Sequence, residues 1–88
     1  MLFCLTLEQV LQFVPEELDN ISVPTIVKFY NPDCPYCKAF AADYEEFSNL
    51  TKVRVAELDC IQFSKYCADH MILNYPTITL YVPTKDSV

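Results

Sequence analysis

One stretch of this 88-residue chain constrains its fold more than any other: residues 25–40, TIVKFYNPDCPYCKAF. Its first six residues are β-branched or aromatic apart from a single lysine, which is typical of a buried strand. Residues 31–33, NPD, break that strand, and a helical pattern begins after residues 34–37, CPYC. A C-x-x-C motif between a strand and a helix brings two thiols together across one helical turn, so this stretch predicts a redox-active dithiol.

The first cysteine of the motif is expected to be the nucleophile because it lies where a helix begins. Only a thiolate attacks a disulfide, and the unpaired amides of a first helical turn stabilise negative charge. Such a position lowers the pKa of a cysteine to about 3.5–7.5. Pro35 suits the first turn of a helix. We therefore expect Cys34 to attack a disulfide and Cys37 to resolve the product.

The net charge argues against some classes of binding partner, and the cysteine content bears on the cellular compartment. A net charge of −6 argues against a nucleic-acid surface and against an anionic membrane, and no apolar run is long enough to span a bilayer. Five cysteines and N-x-[ST] sequons at Asn20 and Asn49 favour the endoplasmic reticulum lumen or the secretory pathway, with the cytoplasm as the alternative. The N-terminal residues have no basic start and are interrupted by Glu8, which is not typical of a signal peptide.

The spacing of apolar residues predicts four strands alternating with three helices in one domain, residues 1–88. Because helices connect the strands, the strands are expected to pair in parallel. The predicted strands lie at 3–5, 25–30, 53–58 and 78–82. The first predicted helix begins with a capping box at Thr6–Gln9 and carries Leu7, Val10, Leu11 and Val14 on one face, and two further helices are predicted at 35–50 and 62–70. A loop is predicted over 15–22, and turns at 74–77 and 83–86. Aromatic residues predicted to be in the core are Tyr30, Phe40, Tyr44 and Phe47.

Four segments resemble the thioredoxin fold, and more closely the catalytic domains of the protein disulfide isomerase family. They are residues 27–38, the helix that follows, residues 55–60 and residues 74–82. The resemblance implies an α/β, three-layer sandwich around a central mixed sheet, here lacking the last strand and helix of the family. It also implies thiol–disulfide exchange on cysteine-containing proteins, in disulfide formation or isomerisation. The alternatives are a glutaredoxin-like or thioredoxin-like reductase and a non-catalytic module that binds peptides or a partner.

The resemblance also assigns a substrate-binding rim around the cysteines. It implies that the bond before Pro76 is cis and that Pro76 faces the dithiol. The backbone of Tyr75 would then pair with an extended substrate chain. With Pro35 and Tyr36, these two residues would form the apolar surface that accepts peptide.

Three charged residues are expected to tune the site, namely Lys28, Asp33 and Lys38. Lys28 stands where the family usually has a buried acid that moves protons to and from the second cysteine. If it is buried and charged, Lys28 favours the Cys37 thiolate. We expect no metal and no organic cofactor, with glutathione or a partner dithiol exchanging the electrons.

The remaining cysteines have competing interpretations. For Cys60 and Cys67 the resemblance implies a structural disulfide, and the alternative is two buried thiols. A bridge requires Cys60 to lie outside the helix, because two helical turns would separate the Cα atoms by about 10 Å. Cys4 is expected to be a small buried side chain, or else to form an intermolecular disulfide. A zinc site at the C-x-x-C motif would need further ligands, for which Cys60, Cys67 and His70 are the candidates.

The last expectation concerns partners. Without the family's last strand and helix, the strand at 78–82 would be an exposed edge of the sheet. The sheet face beside the helix at 35–50 would lose part of its cover. We therefore expect a homodimer or a covering chain at this edge.

Overall fold

The computed structural model describes residues 10–83. In chain order its elements are β1 (Val10–Gln12), α1 (Pro15–Asp19), β2 (Thr25–Tyr30), α2 (Pro35–Leu50), β3 (Arg54–Asp59), α3 (Ser64–Asp69) and β4 (Thr77–Tyr81). The predicted strand at 3–5, the capping box at Thr6–Gln9, Cys4 and the part of the 83–86 turn beyond residue 83 lie outside the described residues.

The four strands form one mixed sheet in the order β1-β3-β2-β4. The first three are parallel, as the helical connections predict, whereas β4 runs antiparallel to β2. The expectation of parallel pairing is therefore wrong for β4, and the mixed sheet implied by the family resemblance is confirmed. Because β2 and β3 both have neighbours on each side, their middle residues are the most buried of the sheet.

Side chains on the two faces of the sheet pack against different helices. On one face, Leu18 of α1 and Cys67 of α3 join a cluster around Val27 and Phe29 of β2. On the other face, Tyr44 of α2 packs against β1 and β3. The Tyr44 hydroxyl lies 2.8 Å from the carbonyl oxygen of Ala56 and 3.2 Å from that of Ile26. It thereby fixes α2, the helix that begins after Cys34, across the two central strands.

The predicted helix through Val10, Leu11 and Val14 is wrong for the described residues. The segment pairs with β3 instead, with Val10 opposite Val55, and this pairing buries Val10 while leaving Leu11 exposed. A short apolar segment fits either periodicity, and here the contact with a strand more than 40 residues away in sequence decides between them.

The predicted loop over residues 15–22 contains a short helix, α1. Pro15 occupies its first position, where a missing N–H has no consequence. The backbone N–H of Val14 donates to the Glu17 carboxylate at 2.8 Å, and Leu18 is buried in the core. These local signals were sufficient for a helix of one and a half turns.

A disulfide joins Cys60 to Cys67, with 5.7 Å between their Cα atoms. Cys60 directly follows β3 and precedes α3, so it meets the condition of lying outside the helix. Both residues are 1% exposed. The end of α3 is closed by backbone hydrogen bonds from Met71 to Ala68 and from Ile72 to Cys67, with Met71 at a φ of 61°.

Replacing both bridged cysteines by alanine is expected to lower the free energy of unfolding by about 2–3 kcal/mol. The bridge closes a short loop, and its loss frees the unfolded chain. Urea denaturation of Cys60→Ala/Cys67→Ala measures the change. Cys34→Ala is the control, because that partly exposed residue is outside the core and its loss should change stability by about 0.5 kcal/mol or less. A double variant as stable as the parent would mean that the bridge has no structural role.

Candidate active site

The segment between β2 and α2 is folded by two local turns. The Asn31 side chain accepts the backbone N–H of Asp33 at 2.8 Å, and the Asn31 carbonyl accepts that of Cys34 at 3.0 Å. Cys34 is the N-cap of α2 and Pro35 is its first residue. The sequence NPDCP therefore places the first thiol at the point where the helix begins.

Cys34 is half-buried, and its surroundings favour the thiolate. The backbone N–H of Cys37 is the largest cause that lowers the pKa of Cys34. Desolvation opposes this effect and is the second-largest cause, while a hydrogen bond from the Cys37 side chain and the backbone N–H of Tyr36 lower the pKa further. Both backbone donors belong to the first turn of α2, and the role of Cys34 as the nucleophile stays a prediction.

Cys37 has the opposite character. It is 4% exposed, and burial raises the pKa of its thiol, as does the neighbouring Cys34. The backbone at Asn31 and the charge of Lys28 lower it in part. The pKa values of the two thiols are thus shifted in opposite directions, that of Cys34 downwards and that of Cys37 upwards.

The residues expected to form the substrate-binding rim differ in exposure. Pro35 and Tyr36 are exposed, with Tyr36 at 75%, whereas Tyr75 and Pro76 are half-buried. The Tyr75–Pro76 peptide bond is cis, and the Tyr75 carbonyl oxygen lies 3.9 Å from the sulfur of Cys34. The backbone that precedes Pro76 therefore lies directly beside the attacking thiol.

Behind Cys37 lies an ion pair whose lysine is buried and whose carboxylate is partly exposed. Lys28 is 3% exposed, and its ammonium lies 3.1 Å from the Glu57 carboxylate and 4.7 Å from the centre of the Tyr44 ring. Lys28 is thus buried next to a carboxylate, and its role in tuning Cys37 stays a prediction. A cavity of about 190 Å³ adjoins the pair and is lined by Lys28, Tyr30, Pro32, Cys37, Lys38, Ala41 and Glu57.

Sequence reasoning did not single out Glu57. The signal was present, because a lysine inside an apolar strand needs a partner. Glu57 is the one acidic residue within the strand core VAEL, and it stands directly opposite Lys28 in the register of β2 and β3. The position of Glu57 opposite Lys28 depends on how β2 pairs with β3, and this pairing cannot be inferred from the residue types alone.

The other predicted tuning and ligand residues are distributed around the site. Asp33 and Lys38 are exposed, and Lys38 lines the cavity behind Cys37. Cys60 and Cys67 are bonded to each other, so they are not available as ligands for a metal at the C-x-x-C motif. Within residues 10–83 no group of three or more His, Cys, Asp or Glu side chains is arranged to hold a metal. No helix in that range is long and apolar enough to cross a membrane.

An apolar groove lies beside α2, on the sheet face that carries Lys28. Phe47 is 39% exposed there, and Ile78 of β4 is 46% exposed, so the assignment of Phe47 to the core is wrong. Tyr44 is buried, while Tyr30 and Phe40 are half-buried. Few described residues cover this part of the sheet, and the homodimer or covering chain expected at this edge stays a prediction. The groove, of about 340 Å³, is lined by Ile26, Phe40, Asp43, Tyr44, Phe47 and Ile78.

Comparison with known proteins agrees with this geometry. The family model named Thioredoxin matches residues 8–88. A protein disulfide-isomerase of Humicola insolens is 32% identical to this chain over 59 residues, which cover 64% of it. The protein disulfide isomerase-like 2-1 of Oryza sativa subsp. japonica is 35% identical over 57 residues, which cover 60% of the chain. The chain spans 12% and 16% of the lengths of these two relatives.

The fold agrees with a solved thioredoxin domain. The crystal structure of the Trx4 domain of ERdj5 superposes with a TM-score of 0.81 at 24% identity, covering 91% of this chain and 75% of that one. At this identity the likeness concerns the fold. The α/β sandwich around a mixed sheet is confirmed.

Proposed function

The chain belongs to the thioredoxin family, and from this premise we propose that it is a thiol–disulfide oxidoreductase that acts on cysteine-containing proteins. The observation that carries the proposal is the unlike pair of thiols at the start of α2. Cys34, with its lowered pKa, is the nucleophile, and the buried Cys37 is the resolving thiol. Relatives named protein disulfide-isomerase support the same activity.

The reaction proceeds in two exchanges. The Cys34 thiolate attacks one sulfur of a substrate disulfide, so that a bond forms between Cys34 and the substrate while the substrate disulfide breaks and releases a thiolate. Cys37 then loses its proton and attacks the sulfur of Cys34. The bond between Cys34 and the substrate breaks, the second substrate thiolate leaves, and the enzyme retains a Cys34–Cys37 disulfide. Two electrons pass to the substrate, and the reverse sequence oxidises a substrate dithiol.

The substrate chain lies against Tyr75 in this proposal. The Tyr75 carbonyl, which lies within reach of the Cys34 sulfur, has a second lone pair that can accept a backbone N–H from an extended peptide. The exposed ring of Tyr36 and the Pro35 and Pro76 rings supply apolar contacts on either side of the exchanging sulfurs. Glutathione or a partner dithiol restores the starting redox state, so no metal or organic cofactor enters the reaction.

We place this activity in the endoplasmic reticulum or the secretory pathway. The buried Cys60–Cys67 bridge suits an oxidising compartment. A Saccharomyces cerevisiae relative is named as ER-retained. Asn20 and Asn49 are exposed, as sequons used for glycosylation must be.

The reduction potential of the Cys34–Cys37 pair tests the proposal. After equilibration in glutathione buffers and alkylation, mass spectrometry of peptides is expected to show this pair exchanging with the buffer. A midpoint near about −180 mV indicates an isomerase or oxidant, and one near about −270 mV a thioredoxin-type reductant. The buried Cys60–Cys67 pair, which should stay oxidised across the same buffers, is the internal control. A Cys34–Cys37 pair that never exchanges would contradict catalysis and leave the non-catalytic binding module.

A further inference from the structure

We propose that Asn20 and Asn49 are both N-glycosylated, and that the two glycans lie at the end of the domain opposite the dithiol. Each residue opens an N-x-[ST] sequon, at residues 20–22 and 49–51. The inference rests on the proposed function through its compartment, because the sugar donor belongs to the secretory pathway. It goes beyond that function by assigning the modified residues and their position relative to Cys34.

The topology of the sheet brings the two sequons to one end of the domain. Asn20 lies in the segment that leads into β2, and Asn49 lies in the last turn of α2, which leads into β3. The first residues of these parallel strands, Thr25 and Arg54, are register partners, and Nε of Arg54 donates to the Thr25 hydroxyl at 3.0 Å. Asn20, Ser22 and Arg54 also line one cavity of about 380 Å³. Both sequons therefore lie next to the starts of the two central strands.

The dithiol lies at the other end of the same strands. Cys34 follows the last residues of β2 and is the N-cap of α2. Since a helix rises 1.5 Å per residue, α2 carries the chain about 21 Å from Pro35 to Asn49. A sugar attached to Asn49 or Asn20 therefore begins at the opposite end of the domain from the exchanging sulfurs.

The side chain of Asn20 is exposed and can keep its structural contact after modification. It is the C-cap of α1, and its side-chain nitrogen donates to the carbonyl oxygen of Glu16 at 2.8 Å. A side-chain amide nitrogen carries two N–H bonds, and glycosylation replaces one of them. The remaining N–H can still donate to Glu16. The modification is therefore compatible with the hydrogen bond that closes α1.

Asn49 lies on the solvated side of the last turn of α2. Glu45 and Glu46, which precede it by about one helical turn, are exposed as Asn49 is. The third residue of the sequon, Thr51, is the C-cap of the helix, and its hydroxyl accepts the backbone N–H of Val53 at 3.1 Å. A glycan on Asn49 therefore extends into solvent and leaves this helix end unchanged.

Apolar side chains beside both sequons supply an independent reason for a covering group. Leu50, the middle residue of the second sequon, is 79% exposed, and Val23, which directly follows the first sequon, is 42% exposed. Exposed apolar surface favours association, whereas a glycan is bulky and solubilising. Sugars on Asn20 and Asn49 therefore shield Val23 and Leu50 without covering the substrate-binding rim.

The transfer balances without a redox step. The side-chain nitrogen of each asparagine forms a bond to C1 of the first sugar of an oligosaccharide that is carried on a lipid diphosphate. The bond from C1 to the diphosphate oxygen breaks, the lipid diphosphate leaves with the bonding electrons, and the amide nitrogen loses one proton. Because the thiols take no part, glycosylation and thiol exchange can be measured independently of each other.

The full chain behind a cleavable secretory leader, expressed in a eukaryotic cell, tests the two sites directly because the leader supplies the compartment. Peptide-N-glycosidase converts each glycosylated asparagine to aspartate, which mass spectrometry of peptides identifies. We expect two glycans on the parent chain and the loss of one glycan in each of the variants Ser22→Ala and Thr51→Ala. Ser22→Thr and Thr51→Ser retain the sequons, so these matched controls should keep both glycans. A parent chain with no glycan, or with one, overturns the proposal.

The rate of thiol exchange tests where the glycans lie. Enzymatic removal of both glycans should leave the rate at which the parent reduces a disulfide-bonded protein unchanged. Gln62→Asn provides the contrast, because it creates a third sequon with Ser64 at an exposed position near the dithiol end of the sheet. The preceding Cys60 donates its backbone N–H to the carbonyl oxygen of Tyr30, the last residue of β2, at 2.8 Å. A glycan at this third sequon should slow the reduction, and its removal should restore the rate.

The outcomes separate this proposal from the proposed function. A severalfold rise in the rate of the parent after removal of its glycans would overturn their placement away from the dithiol. A glycosylated parent that fails to exchange thiols, with or without its glycans, would instead count against the proposed function, while the occupied sequons would still support the modification.

Discussion

Replacing Cys34 by serine is expected to abolish turnover, lowering the rate of reduction of a disulfide-bonded protein by at least about a thousandfold. A serine hydroxyl at this position is not ionised near neutral pH and cannot form a disulfide, so no mixed disulfide is made. The loss should appear in the initial rate under excess reductant, with the fold intact by circular dichroism. A Cys34→Ser protein with more than a tenth of the parent activity would contradict the role of Cys34 as nucleophile.

Cys37→Ser is the matched control for that prediction. Cys34 still attacks in this variant, but the mixed disulfide has no internal thiol to resolve it. A covalent adduct with the substrate should therefore accumulate and be visible by mass as a one-to-one complex, which Cys34→Ser cannot form. If the two variants gave the same products, the roles of Cys34 and Cys37 would not be distinct.

Glu57→Leu is expected to lower the free energy of unfolding by about 3–5 kcal/mol. It leaves the ammonium of Lys28, 3% exposed, without its carboxylate, and a buried charge that loses its partner is strongly destabilising. Lys28→Met should cost less, because the partly exposed Glu57 can still be hydrated. The double variant Lys28→Met/Glu57→Leu should recover most of the loss, since a buried ion pair replaced whole by apolar side chains is often close to neutral.

Denaturant unfolding of the three variants forms a double-mutant cycle for this prediction. Additive losses would mean that Lys28 and Glu57 stabilise the fold independently. A loss below about 1 kcal/mol in Glu57→Leu would mean that Lys28 is solvated by other means. Either result would weaken the case that the pair is a single unit behind Cys37.

The dithiol was predictable because its signals are local. The strand at 25–30, the break at 31–33 and the helix at 35–50 follow from residue types and from Pro35, and the structure has the same bounds. The position of Cys34 at the N-cap follows from the same few residues. A site whose chemistry depends on the first turn of one helix can be recognised without knowing the rest of the fold.

The features that sequence reasoning missed depend on contacts between distant segments. The helix predicted over the residues of β1 is wrong because the strand's partner, β3, lies more than 40 residues away along the chain. Glu57 was passed over because its role arises from the register that sets it opposite Lys28. Phe47 was assigned to the core by helical spacing, but spacing tells which side of α2 faces the sheet and not how far the sheet extends beneath it.

Cys37 borders two separate regions, since the cavity behind it shares no lining residue with the rim formed by Pro35, Tyr36, Tyr75 and Pro76. In the proposed reaction the substrate exchanges at the rim, so a client protein that covers the rim need not cover this cavity. A folded client and a short peptide should consequently leave this side of Cys37 in the same surroundings, and differences between their rates should come from how well each reaches Cys34.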